Sequence, residues 1–146
     1  MNIGLENSRR FRALPVYSVL LAHGYEGLAD IFARQVRLAR AIAKWLSESK
    51  KYELLLCDDR VGFKDVHVVV MFRAKEDSLN EVLVRRINDT RKINVSGTVW
   101  ENRPAARIAV STWMVDVEKD LKIVTDVLAE IVLRRVELPL LGEKQL

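Results

Sequence analysis

The chain has 146 residues, 49% of them hydrophobic and 30% charged, and 24 Lys and Arg against 20 Asp and Glu give a formal net charge of +4. This is the composition of one ordinary globular domain, able to bury roughly two-thirds of its unfolded surface without a disulfide or a metal. The mixed charges argue against nucleic acid as a partner, which would call for a basic stripe with exposed aromatics. The single cysteine, Cys57, fits a reducing, cytoplasmic setting; no apolar run approaches ~18 residues and no apolar signal core opens the chain, so no membrane partner is expected.

Residues 1–14 are polar and irregular, with Arg9, Arg10 and Arg12 crowded around Phe11. Guanidinium groups at that density read as an anion or carboxylate site, or as a solvated arm. Pro15 suits the first turn of a short helix over Val16 to Ala22, and His23-Gly24 would stop it. From Glu26 to Leu46 the apolar residues Leu28, Ile31, Phe32, Leu38, Ala39, Ile42 and Leu46 fall at helical spacing, with Gln35 as the one polar break. Arg34, Arg37, Arg40 and Lys44 lie on another face, which is expected to be solvated or to meet a partner.

Tyr52 to Cys57 and Val66 to Phe72 read as two strands joined by the polar turn Asp58 to Asp65. Ser78-Leu-Asn-Glu81 has the form of a capping box and predicts a helix running to about Thr90. Ile93 to Trp100 and Ala105 to Ser111 read as a second hairpin around Glu101-Asn-Arg-Pro104, with a bulge at Gly97. Arg107 interrupts the last strand, where a charge must be paired or face a cleft. Asp116 can cap a final helix carrying Val117, Leu121, Val124, Leu128, Ile131 and Val132, closed by Pro139.

The order predicts an α+β fold: a four-stranded antiparallel sheet made of two hairpins, with helices packed on one face. The expected division is an N-terminal arm and short helix (1–24), an α+β small domain (25–138) and a tail (139–146). His23 and His67 are the only histidines and no ligand-spaced Cys, His or carboxylate pattern exists, so no metal is expected.

Three stretches carry a resemblance. Ser8-Arg-Arg-Phe-Arg-Ala-Leu-Pro-Val-Tyr17 with His23-Gly24-Tyr-Glu-Gly27, then Val84-Arg-Arg-Ile-Asn88, then Arg107-Ile-Ala-Val-Ser111 occur in the order found in the C-terminal part of group II pyridoxal-phosphate-dependent amino-acid decarboxylases. These are the aromatic-amino-acid and glutamate decarboxylase-like enzymes, and the chain resembles fungal members most. The resemblance implies the small domain of a fold type I enzyme. It also implies Arg107 as a contact for a substrate carboxylate, with a salt bridge to a neighbouring strand as the alternative. The family's Schiff-base lysine precedes the Arg-Arg segment, close to which this chain begins. The resemblance therefore implies a truncated homologue that binds no cofactor alone and is no decarboxylase by itself, whatever other activity it has.

Two further readings compete with a domain that works beside a lysine-bearing partner chain. One is a repurposed, homodimeric protein of specialised metabolism that binds a small molecule or works without a cofactor. Its candidate groups are Arg9, Arg10, Tyr17, His23, Asp58, Asp59, His67 and Arg107, and no spacing selects among them. The other is a non-catalytic interaction domain that uses the Arg34, Arg37, Arg40 and Lys44 face.

Overall fold

The computed structural model describes residues 13–55 and 62–133. Arg9, Arg10, Phe11, Arg12, Cys57, Asp58, Asp59 and Pro139, singled out in the sequence, lie outside the described residues. The elements are α1 (Ala13–Glu48), β1 (Tyr52–Leu55), a short 3-10 turn (Gly62–Asp65), β2 (Val69–Ala74), α2 (Asp77–Asp89), β3 (Ser96–Trp100), β4 (Arg103–Ala109) and α3 (Val117–Leu133). No helix among the described residues is long and apolar enough to cross a membrane.

α1 is two helical arms joined at Gly24, whose φ of 61° and ψ of −172° break the helical path. Only glycine adopts that region without strain, so the sequence signal His23-Gly24 acts as a joint between helices. Gly27 serves the same joint, since a Cβ there would sit 3.0 Å from the His23 Cβ. The second arm carries every buried residue of α1, from Ile31 to Leu46. Ala39 and Ala43 are fully buried, and these small residues let α1 lie close against α3, its main helical partner.

All four strands are antiparallel, in the order β1-β2-β4-β3. The two predicted hairpins are present, and β2 and β4 join them into one sheet. Tyr52, Val70, Phe72, Ala74, Ala106 and Ile108 point to the helices and share one core with Leu38, Ile42, Leu83, Ile87, Val127 and Leu128. Tyr52 donates its hydroxyl proton to the Leu128 carbonyl at 2.8 Å, tying β1 to α3, and burial pushes its phenol pKa up.

Several expectations need correction. The strand predicted at Val66 to Phe72 lies at Val69–Ala74, and the one predicted at Ala105 to Ser111 starts at Arg103. The turn is therefore only Glu101 and Asn102, both at positive φ. Gly97 pairs with Ala106 in an unbroken register, so it makes no bulge. The capping box at Ser78 does not form. α2 starts two residues earlier, with Glu76 at its N-cap and no side-chain cap bond, and the Ser78 hydroxyl donates to the Glu76 carboxylate at 2.8 Å. The reciprocal cap appears on α3 instead. There Asp116 Oδ1 accepts from the Lys119 N–H, and Asp120 Oδ2 accepts from the Asp116 N–H.

Nor is the basic face of α1 simply solvated. Arg34 donates to the Val115 carbonyl at 2.8 Å, and Arg40 donates to the carbonyls of Val66 and Lys64 at 3.0 and 2.7 Å. With Gln35, which donates to the Thr112 carbonyl at 2.9 Å, these side chains pin the segments that enter β2 and leave β4.

Two asparagines on α2 finish the sheet. Continuing the β2–β4 register places Ala74 opposite Pro104, which has no N–H to offer. Asn80 substitutes for the missing ladder, accepting from the Ala74 N–H at 2.7 Å and donating to its carbonyl at 2.9 Å. Eight residues on, Asn88 holds both backbone groups of Val95 in the same way, at 2.8 and 3.0 Å. Asn80→Ala should strand two buried backbone groups and lower unfolding free energy by about 2–4 kcal/mol, as read by urea denaturation. A loss within about 0.5 kcal/mol, the range of a neutral surface change, would show that the clamp contributes nothing.

Candidate functional site

The helices cover one face of the sheet. On the other face, alternation along the strands places Glu53 and Leu55 of β1, Val69, Met71 and Arg73 of β2, Ala105, Arg107 and Ala109 of β4, and Ser96 and Thr98 of β3. Arg107 lies at the centre of this outer face, opposite Met71 on one side and Ser96 on the other. It is exposed, and it has no hydrogen bond or ion pair to any described residue. The salt bridge weighed from the sequence is therefore not made by a cross-strand neighbour, since neither Met71 nor Ser96 is acidic.

One register step away, the outer face has a second and very different arginine. Arg73 is opposite Glu53 and grips it with two donors, Nε to Oε2 at 2.7 Å and Nη2 to Oε1 at 3.2 Å. The Arg73 side chain is only 7% exposed against 45% for Glu53, so the cation is the buried member. Its remaining nitrogen, Nη1, is buried without a hydrogen-bond partner among the described residues. The hydrogen bond from Arg73 holds the Glu53 carboxyl below its usual range, with Arg103 and Lys75 adding to the effect. Arg103 in turn pairs with Asp77 at the start of α2. Register distinguishes the two arginines: Arg73 faces an acid, Arg107 does not. Sequence inspection missed Arg73, although a strand arginine (Phe72-Arg73-Ala74) between buried positions was a signal of the same kind as Arg107.

The remaining candidates do not converge on Arg107. Tyr17 and His23 are exposed on the first arm of α1, and His23 faces Trp113 with ring centroids 6.2 Å apart. His67 is exposed just ahead of β2. Among the described residues no hydrogen bond or ion pair joins any two of Tyr17, His23, His67 and Arg107. A cavity of about 280 Å³ lies between α1, α3 and the end of β4, floored by Leu38, Ile42, Ile108 and Val124, and none of the candidates lines it. All eight described lysines (Lys44, Lys50, Lys51, Lys64, Lys75, Lys92, Lys119 and Lys122) are exposed.

No family model matches the chain. It is 27% identical over 110 residues to a probable aromatic-L-amino-acid decarboxylase of Caenorhabditis elegans, a match covering 75% of this chain and 11% of that protein. It is 34% identical over 89 residues to the aromatic-L-amino-acid decarboxylase of Manduca sexta, covering 60% of this chain and 16% of the relative. In fold it is similar to the crystal structure of Oryza sativa TDC with PLP and tryptamine, with a TM-score of 0.73 at 20% identity, over 88% of this chain and 28% of that one. The chain is thus homologous to a part of the group II pyridoxal-phosphate decarboxylases, and its α+β architecture is one found within fold type I enzymes. It spans about a quarter or less of the length of these relatives.

The Glu53–Arg73 pair carries a pH signature. A carboxylate held low in the folded state contributes stability that is full above the ordinary carboxylate range and fades as pH falls through the folded value. Glu53→Gln should therefore be less stable than the parent in urea at pH 7, and the difference should shrink as pH falls below the ordinary carboxylate range. An equal gap at pH 7 and pH 3 would show that the charge on Glu53 is irrelevant.

Proposed function

We propose that the chain is a C-terminal-type domain of a pyridoxal-phosphate decarboxylase, that it is not a decarboxylase alone, and that it supplies one wall of the site to a part carrying the Schiff-base lysine. The observation that carries this reading is Arg107. Among the described residues it has no hydrogen-bond or ion-pair partner, and it stands at the centre of the sheet face opposite the helices, on a chain homologous to a fraction of each decarboxylase it matches. A guanidinium with its donors free can grip a carboxylate by two parallel N–H bonds, the contact expected for an amino-acid substrate. Met71 and Ser96 beside it add no second charge.

The cofactor does not fit the described residues. A Schiff base needs an amine whose pKa is lowered by burial or by a neighbouring cation, inside a pocket that excludes water. The described lysines all project into solvent, which supports a separate source for that amine. Arg107 binds and orients the substrate carboxylate, and the sheet holds the guanidinium in place through β2 on one side and β3 on the other. Arg73 is a positioning residue, because its bond to Glu53 locks β1 onto β2 at the same face.

Pyridoxal phosphate added to the purified chain and then removed by gel filtration should leave no protein-bound visible band. A band that disappears when one lysine is replaced by Ala would overturn the reading. In an assembly with a lysine-bearing part, Arg107→Ala should raise KM for the amino acid at least tenfold while Arg107→Lys restores part of the loss, the pattern of a carboxylate contact.

A further inference from the structure

We infer that the groove between α1, α3 and the end of β4 is a binding site for one free α-amino acid with an apolar side chain, separate from Arg107. The inference does not depend on the decarboxylase reading above.

The groove exists because the β3–β4 ladder stops short. Its last pair is Ser96↔Arg107. Continued by two residues, that register would set Asn94 against Ala109. Instead Asn88 holds both backbone groups of Val95 from α2, at 2.8 and 3.0 Å, and the chain before β3 parts from β4. β4 itself runs on, and the Val110 N–H still donates to the Val68 carbonyl ahead of β2 at 2.8 Å. Strand alternation then aims the N–H and C=O of Ala109 away from β2 and into the gap. Neither has a hydrogen-bond partner among the described residues. The gap is short, because just beyond it the Thr112 carbonyl is taken by Gln35.

A strand edge that lacks one residue of its ladder is complemented by a ligand with one donor and one acceptor at residue spacing. The rest of the groove selects the ligand's ends and its body. Asp120, half-buried on α3, spends Oδ2 on the Asp116 N–H, and its Oδ1 has no hydrogen bond to any described residue. Lys92 lines the same cavity, with Nζ 3.4 Å from Glu130 and further donors to spare. A carboxylate takes up an ammonium and a lysine takes up a carboxylate, so the two together match a zwitterion. A phosphate or other polyanion would be repelled by Asp120. Leu38, Ile42, Ile108 and Val124 give the body an apolar floor. The cavity measures about 280 Å³. At roughly 30 Å³ per water-sized group it holds about nine non-hydrogen atoms, the size of leucine.

The test is a titration of the ¹⁵N-labelled full chain with L-leucine, followed by its backbone amide shifts. The amides of Asn94, Ala109 and Ser111 should move together and saturate with a Kd in the millimolar range or tighter. Those of Met71 and Ser96, beside Arg107, should stay in place. Lys92→Gln and Asp120→Asn should each raise Kd at least threefold, the loss of one charged contact at a partly exposed site. The Asn side-chain oxygen in Asp120→Asn can still accept from the Asp116 N–H, so circular dichroism should match the parent. Isovalerate and isoamylamine, which keep the apolar body and one charged end each, should bind the parent chain at least threefold more weakly than leucine. The inference is overturned if the groove amides do not move, or if the shifts centre on Met71, Arg107 and Ser96. It is equally overturned if both variants bind leucine like the parent, or if either one-ended analogue binds as tightly as leucine.

Discussion

The constraint on which the structure depends is that three helices must share one face of a four-stranded sheet. Ala39 and Ala43 permit it by bringing α1 near α3, and Phe72, Val70 and Ile108 fill the space beneath. Each buried large side chain in that layer contributes on the order of 1.5–3 kcal/mol, so the core concentrates on one side of the sheet. Among the described residues no helix lies on the other side, and it is there that Arg107 stands without a described partner. The uncovered face is a product of how the core is packed.

Polar groups at the edges of this core explain why the loops stay in place. Pro104 ends the β2–β4 ladder by lacking a donor, and Asn80 completes it from the side. Arg34, Gln35 and Arg40 work in the same manner from α1, taking up carbonyls of the segments around β2 and β4. Arg34 and Arg40, two of the four cations that resemble a solvated or partner-binding face in sequence, are internal fasteners. Arg34 and Arg40 keep their charge while their donors are committed to the backbone, and Arg37 and Lys44 of the same stripe remain exposed.

Much of the layer architecture was legible. Helical spacing from Leu28 to Leu46, the β-branched run at Val66 to Val70, and Asp116 ahead of an apolar stripe each reflect local physics that needs no distant partner. Strand ends were legible only to within two or three residues, because Val69 and Arg103 are set by the cross-strand register and not by their own propensity. The failed cap at Ser78 has a similar cause: the chain turns two residues earlier, and Asn80, the third residue of the predicted box, is diverted to the sheet. Arg73 and Arg107 show the limit best. Both are strand arginines flanked by apolar residues, and only the register tells which one meets a glutamate.

Gly24 separates two kinds of helix on one element. After it, apolar residues occupy a stripe and the stripe is covered; before it, they occupy more than half the circumference and almost nothing covers them. Sequence patterning alone would read the first segment as a short helix attached to an arm, since six apolar residues in eight positions carry little periodicity. The geometry assigns a different meaning to the same residues. A helix without charge and without a polar side is stable in water only when another surface encloses it. Among the described residues, the outer face of the sheet holds a guanidinium without a partner, and the arm holds exposed apolar side chains.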